Sequence, residues 1–170
     1  GESGKTNASG ICEIRRRSAA ESGGKIFMMT VEELKKEGAI YFEKVTDGMQ
    51  QYENQIIRMN AFQAVDKFME MWEMLGCKNM YVDFYYFTLP EQARQQIDTV
   101  LTYQELEYIH QMEHEEGQVL FPVNEILLSI CAKLNATEML FCTIYMTGDY
   151  PSTWWGNYGG EYVVFTEKEA

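Results

Sequence analysis

The chain has 170 residues, of which 46% are hydrophobic, 14% aromatic and 24% charged. That is the make-up of one globular domain, and it excludes whole-chain disorder, collagen-like repeats and low-complexity structure. Fourteen Lys and Arg stand against 26 Asp and Glu, a formal net charge of −12, which excludes a binder that works by neutralising nucleic-acid or lipid phosphates.

The negative charge is unevenly spread. Residues 1–25 hold five bases (Lys5, Arg15, Arg16, Arg17 and Lys25) and three acids. The rest of the chain holds 9 bases and 23 acids. Between Asn79 and Glu167 the bases are Arg94 and Lys133, against 13 acids. Such a body repels phosphate chains and draws basic partners at low salt. The plain alternative is that the charge serves solubility.

The four cysteines, Cys12, Cys77, Cys131 and Cys142, form no C-x-x-C, so neither a zinc ribbon nor a thioredoxin motif is indicated. There is no N-terminal apolar segment and no long apolar run. The expectation is a cytoplasmic protein with reduced thiols, no membrane contact, and sequons at Asn7 and Asn135 that arise by chance.

Taken in chain order, residues 1–27 read as an atypical leader or extension, rich in Gly, Ser, Ala and Arg. Gly23-Gly24 ahead of Met28 and Met29 suggests that translation starts at one of those methionines. The opening GESGKT resembles the end of a phosphate-binding P-loop. It lacks the loop's first glycine, a strand before it and a good helix after it, so no nucleotide site is expected. Residues 28–170 read as a single α+β domain. Thr30-x-x-Glu33 has capping-box spacing and opens a short helix.

Asp47–Leu75 reads as the strongest helix, because Met49, Tyr52, Ile56, Met59, Phe62, Val65, Phe68, Trp72 and Leu75 recur at three- and four-residue steps. At 1.5 Å per residue it would run about 43 Å. Gly76 is placed to end it. Its methionines suggest a homodimer face.

Asn79–Thr88 reads as a strand, and Glu91–Val100 as a helix behind Pro90. Thr102-x-x-Glu105 opens a helix through about Glu115, stopped by Gly117, and Val123–Leu134 forms another after Pro122. Met139–Met146 and Tyr162–Thr166 read as strands joined by a long loop, Thr147–Glu161. The expected fold is α+β, a small antiparallel sheet of three to five strands packed against several helices.

Three features carry candidate chemistry. Both histidines lie in His110-Gln111-Met112-Glu113-His114, which matches the H-x-x-E-H of inverzincin metalloproteases. On a helix the two imidazoles would share a face and hold zinc while Glu113 activates water. Against this, the apolar stripe of Leu106, Ile109 and Met112 turns His114 to solvent, and the third ligand of those families lies further downstream than this chain extends.

The second feature is the loop carrying Asp149, Tyr150, Trp154, Trp155 and Tyr158, which has the composition of a recognition surface. The competing reading is that a tryptophan folds back to cap the sheet. The third is an acidic run, Asp98, Glu105, Glu107, Glu113, Glu115, Glu116 and Glu125, with no intervening base. On helices it would form a negative ridge of the kind that imitates DNA phosphates, or else an ordinary solvated face.

The expected function is a non-catalytic, protein-binding inhibitor of a basic nucleic-acid-handling protein, in the antirestriction, anti-CRISPR or immunity-protein class. Its contacts would be Glu105, Glu107, Glu113, Glu115, Glu116, Asp149, Tyr150, Trp154, Trp155 and Tyr158. No catalytic residue and no cofactor are assigned. The rivals are a zinc hydrolase built on His110, Glu113 and His114, and a structural or regulatory domain.

Overall fold

The structure, a computed structural model, describes residues 29–169. The leader, its GESGKT motif, Cys12 and the start at Met28 lie outside the described residues.

The first helix, α1 (Val31–Lys36), begins where the capping spacing puts it. Thr30 Oγ1 accepts the Glu33 N–H at 3.2 Å, and the Glu33 carboxylate accepts the Thr30 N–H at 3.4 Å.

The single long helix over 47–75 is not formed. The segment divides into helix α2 (Val45–Gln51), strand β1 (Glu53–Arg58) and helix α3 (Ala61–Met74). Two local preferences break it. Ile56-Ile57 is a β-branched pair that suits a strand. Asn60 starts a new helix, its Oδ1 accepting the Gln63 N–H at 2.8 Å while Gln63 Oε1 accepts the Asn60 N–H at 3.0 Å. The supposed stripe is therefore not one face: Phe68 and Trp72 are buried, whereas Ile56 and Phe62 are exposed. Gly76, at φ 74°, does end α3 as expected.

Strand β2 (Met80–Asp83) is shorter than the apolar run suggests, because the chain turns into a 3₁₀ helix at Tyr86–Thr88. Helix α4 (Glu91–Asp98) follows Pro90. Helix α5 (Tyr103–Gln111) starts with the Thr102/Glu105 capping box but stops at Met112, which is extended at ψ 127°. Strand β3 (Leu120–Pro122) leads to helix α6 (Glu125–Ala136), capped by Asn124. Strands β4 (Thr143–Met146), β5 (Ser152–Gly156) and β6 (Glu161–Thr166) complete the chain.

The fold is mixed α+β, and its open antiparallel sheet has six strands, not three to five, in the order β1-β6-β5-β4-β2-β3. The extra strands were hidden. β1 lay inside a false helical period, β3 is three residues long, and β5 lay in the presumed loop.

Alternation along the strands gives the sheet two apolar faces. Val82, Ile144, Trp154, Tyr162 and Val164 face the larger core, shared with Phe68 and Trp72 of α3 and Leu127, Ile130 and Leu134 of α6. On the other face Leu34 of α1 packs on Leu120 and Tyr145, while Ile40 and Phe42 pack on Val163 and Phe165. Among the described residues no helix is long and apolar enough to cross a membrane. Cys131 and Cys142 are free and buried. Cys77 is disulfide-bonded, against the expectation of reduced thiols.

Asn135 ties the helix layer to the sheet. Its Oδ1 accepts the Cys142 N–H at 2.7 Å, and its Nδ2 donates to the Cys142 carbonyl at 3.3 Å and to the Tyr162 hydroxyl at 3.1 Å. Its burial also disposes of the sequon there. The amide fits because Gly156 has no side chain: a Cβ there would lie 2.5 Å from Asn135 Oδ1. Gly156→Ala should therefore destabilise the fold by about 1–3 kcal/mol in urea unfolding. A loss below about 0.5 kcal/mol would contradict this packing.

Candidate functional site

The second face of the sheet is incompletely covered. A cleft of about 310 Å³ remains between the segment after α1, the end of β2 and strand β4. Its polar lining is Tyr41, Glu43, Asp83, Tyr85 and Tyr145, with Trp155 beside them. Val31, Val119 and Leu120 supply apolar wall.

Asp83 reaches the cleft by strand alternation. Met80 and Val82 face the helices, so Tyr81 and Asp83 face the other way. The pairing of β2 with β4 ends at Val82 and Ile144, while the chain stays bonded to the β3 side through Phe84 N–H and Val119 O at 2.6 Å. The Thr143 N–H at the start of β4 is met instead by Asp83 Oδ1, at 2.5 Å.

Burial pushes the Asp83 carboxyl up to about 6, although hydrogen bonds from the Thr143 backbone and side chain pull the other way. Burial also raises Tyr41, Tyr85 and Tyr145, and the Asp83 charge adds to the shift in all three. The phenols thus stay neutral hydrogen-bonding groups around a carboxyl that ionises close to neutral pH.

The rings are grouped. Tyr41 and Tyr145 have centroids 6.1 Å apart, and Phe42 stacks on Trp155 at 5.8 Å with planes 19° apart. Lys35 Nζ lies 5.4 Å from the Tyr41 ring centroid, a cation on a negative ring face. Chemically, the cleft can hold a cation against carboxylates and aromatic faces, or pass a proton to and from Asp83.

The expected contact residues are dispersed. Trp155 lines the cleft, but Trp154 points to the opposite face, 4% exposed, with its ring edge-on to Phe68 at 5.4 Å. The recognition-loop reading fails for Trp154 because residues 152–156 are a strand, and successive strand residues point to opposite faces. Asp149, Tyr150 and Tyr158 are exposed on either side of that strand.

Glu105 is 6% exposed and cannot belong to a surface ridge. Burial raises its carboxyl, but the Lys133 ion pair and the Thr102 capping bonds outweigh this and hold it below the usual range. The box that starts α5 turns this glutamate back toward the helix start. Glu107 is exposed on α5, and Glu113, Glu115 and Glu116 are exposed in the segment that follows it, so the ridge is part helix and part loop.

The zinc reading does not survive the end of α5 at Gln111. His110 is on the helix and His114 is beyond it, stacked on Phe87 with centroids 3.8 Å apart. The two imidazoles no longer share a helical face. Among the described residues no three His, Cys, Asp or Glu side chains are grouped to hold a metal.

Asp83, Tyr41, Glu43, Tyr85 and Tyr145 were not singled out by sequence reasoning. The available signal was a lone carboxylate inside the apolar run NMYVDFYYFT, since a charge in a buried strand needs a reason. No family model matches the chain, and no curated protein or solved structure shows significant similarity to it.

The Asp83 shift fixes a sign for pH dependence. Its folded-state value, about 6, lies above the ordinary 3.8, so folding favours the protonated form. The associated stability is present at low pH and is lost as pH rises through about 6. The loss should amount to about 2–3 kcal/mol. Asp83→Asn should remove this dependence, gaining on the parent chain between pH 4.5 and pH 7.5 in urea unfolding. A constant difference between the two proteins would contradict the burial of the charge.

Proposed function

We propose that this chain is an acidic protein-binding module whose partner is a basic nucleic-acid-handling protein. The reading extends to inhibition: the module would occupy the partner's phosphate-binding surface, as antirestriction, anti-CRISPR and immunity proteins do. The observation that carries it is the imbalance within residues 29–169. They hold 23 carboxylates and 9 bases, and two carboxylates are engaged in ion pairs among the described residues, Glu161 with Arg58 and Glu105 with Lys133.

A surface of that kind carries a negative potential that speeds encounter with a cationic partner and disfavours anionic ones. The exposed run Glu113, Glu115 and Glu116 leads within a few residues to Val119 and Leu120 in the cleft wall. Glu43 and Asp83 line the same cleft. Carboxylates and aromatic rings side by side suit a partner that offers lysine and arginine.

The experiment is capture of purified basic nucleases by the immobilised chain at low and high salt. Affinity should fall at least about tenfold from 50 to 500 mM NaCl, because exposed pairs are screened. Lysine substitutions at Glu107, Glu113 and Glu116 should weaken capture by a similar factor and leave the melting temperature close to that of the parent. Capture that ignores both salt and charge reversal would remove the electrostatic reading.

A further inference from the structure

We infer that the cleft on the second sheet face seats the guanidinium of one arginine side chain of a basic partner, held by Asp83 and Glu43 between the rings of Tyr41, Tyr85, Tyr145 and Trp155. This rests on the reading of the chain as a module for basic partners and says which group that partner inserts.

The argument starts from the cost of Asp83. A carboxylate withdrawn from water is stabilised by an opposite charge or by enough hydrogen bonds. Asp83 has the Thr143 hydrogen bonds, and neither of the two ion pairs among the described residues involves it. Glu43 lines the same cavity and adds a second negative group. The cavity thus asks for a cation. An anion would meet two carboxylates, and a neutral ligand would leave the charge uncompensated.

Ring geometry selects the cation. A guanidinium is planar and weakly hydrated, stacks on aromatic faces and presents a fork of N–H donors to a carboxylate. The cleft offers both surfaces, with Trp155 lying flat on Phe42 and Tyr41 paired with Tyr145. Raised phenols keep their protons and add no competing charge. Lys35 over Tyr41 shows one of these rings already engaged by a cation of this chain. A bare metal ion fits poorly, because no group of three ligating side chains exists among the described residues.

The pH dependence comes from the Asp83 carboxyl, and the titratable and charged groups around it are Tyr41 and Glu43 from the segment after α1, Lys35 of α1 over the Tyr41 ring, Tyr85 beyond β2, Tyr145 on β4 and the buried Cys142 thiol just before β4. Binding of the cation should strengthen as pH rises through the Asp83 transition, and it should in turn favour the ionised carboxyl.

The test uses the full chain, isotope-labelled for NMR, titrated with N-acetyl-arginine methylamide and with the citrulline analogue, which has the same shape without the charge. The arginine probe should give saturable shifts at the Trp155 indole and at the Tyr85 and Tyr145 amides, binding at least about tenfold tighter than citrulline. Binding should be weaker at pH 5 than at pH 7.5. Asp83→Asn, which keeps an oxygen for the Thr143 N–H, should lose at least about tenfold, and Glu43→Gln should lose less.

Equal binding of the two probes, or arginine shifts confined to Glu107–Glu116, would overturn the inference. Nuclease capture separates this from failure of the broader reading. If Asp83→Asn captures as well as the parent while charge reversal at Glu107, Glu113 and Glu116 weakens capture, the cleft assignment falls and the basic-partner reading stands. If neither change affects capture, both fall.

Discussion

The hydrogen bond from the Thr143 N–H to the Asp83 carboxylate holds the middle of the sheet together where its backbone pairing runs out. The chain leaves β2 after Asp83, and β4 has already begun at Thr143. Without that side chain the first N–H of β4 would face the gap with no acceptor, a costly omission in a buried sheet. The same departure of the chain toward Tyr85 leaves the space that becomes the cleft. One carboxylate therefore completes the sheet and lines its opening. The two roles are coupled, since the hydrogen bond lowers the Asp83 carboxyl while the surrounding burial raises it further.

The two layers contribute unequally to this arrangement. The helices α3 and α6 seal one face with a continuous apolar core, and Asn135 locks α6 onto the Cys142 backbone just before β4 and onto Tyr162 of β6, in space that Gly156 of β5 leaves open. The opposite face is covered by short pieces: α1, the strap carrying Ile40 and Phe42, and α2. The strap is itself pinned, with Thr153 Oγ1 donating to the Ile40 carbonyl at 2.6 Å. A face covered by such pieces closes over Leu34, Phe165 and Tyr145 yet stays open at Tyr41, Glu43 and Tyr85. The thick core supplies rigidity and the thin cover supplies access.

What the sequence revealed followed the range of the signal. Helix starts set by contacts three residues apart, Thr30 with Glu33 and Thr102 with Glu105, could be read directly, as could the stop at Gly76 and the helix behind Pro90. The Asn60–Gln63 box is equally local but was masked by apolar residues that kept helical spacing across a helix, a strand and a second helix. Period alone does not separate these states when an edge strand shows no buried face, and five of the six residues of β1 are exposed. Ser152–Gly156 was lost for the opposite reason. A strand buried on both faces has no alternation, and the glycines and Pro151 that flank it imitate a loop. The cleft was least legible. Its lining comes from residues 31, 41–43, 83, 85, 119–120, 145 and 155, and tertiary pairing alone brings them together.

The surplus of acid and the cleft act at different distances. A charge surplus felt over about 8 Å at physiological ionic strength raises the rate of encounter with any cationic surface and selects weakly among them. Selection needs a site where desolvation makes charge and shape matter together. Asp83, pushed up to about 6 by burial, is withdrawn from water without the ion-pair partner that buried Glu105 has in Lys133 among the described residues. Exposed residues such as Glu113 and Glu116 stay hydrated and interact weakly. On the proposed reading, specific contact falls to Asp83 and the rings around it, and the more numerous acids supply the field that would bring a basic partner to the cleft.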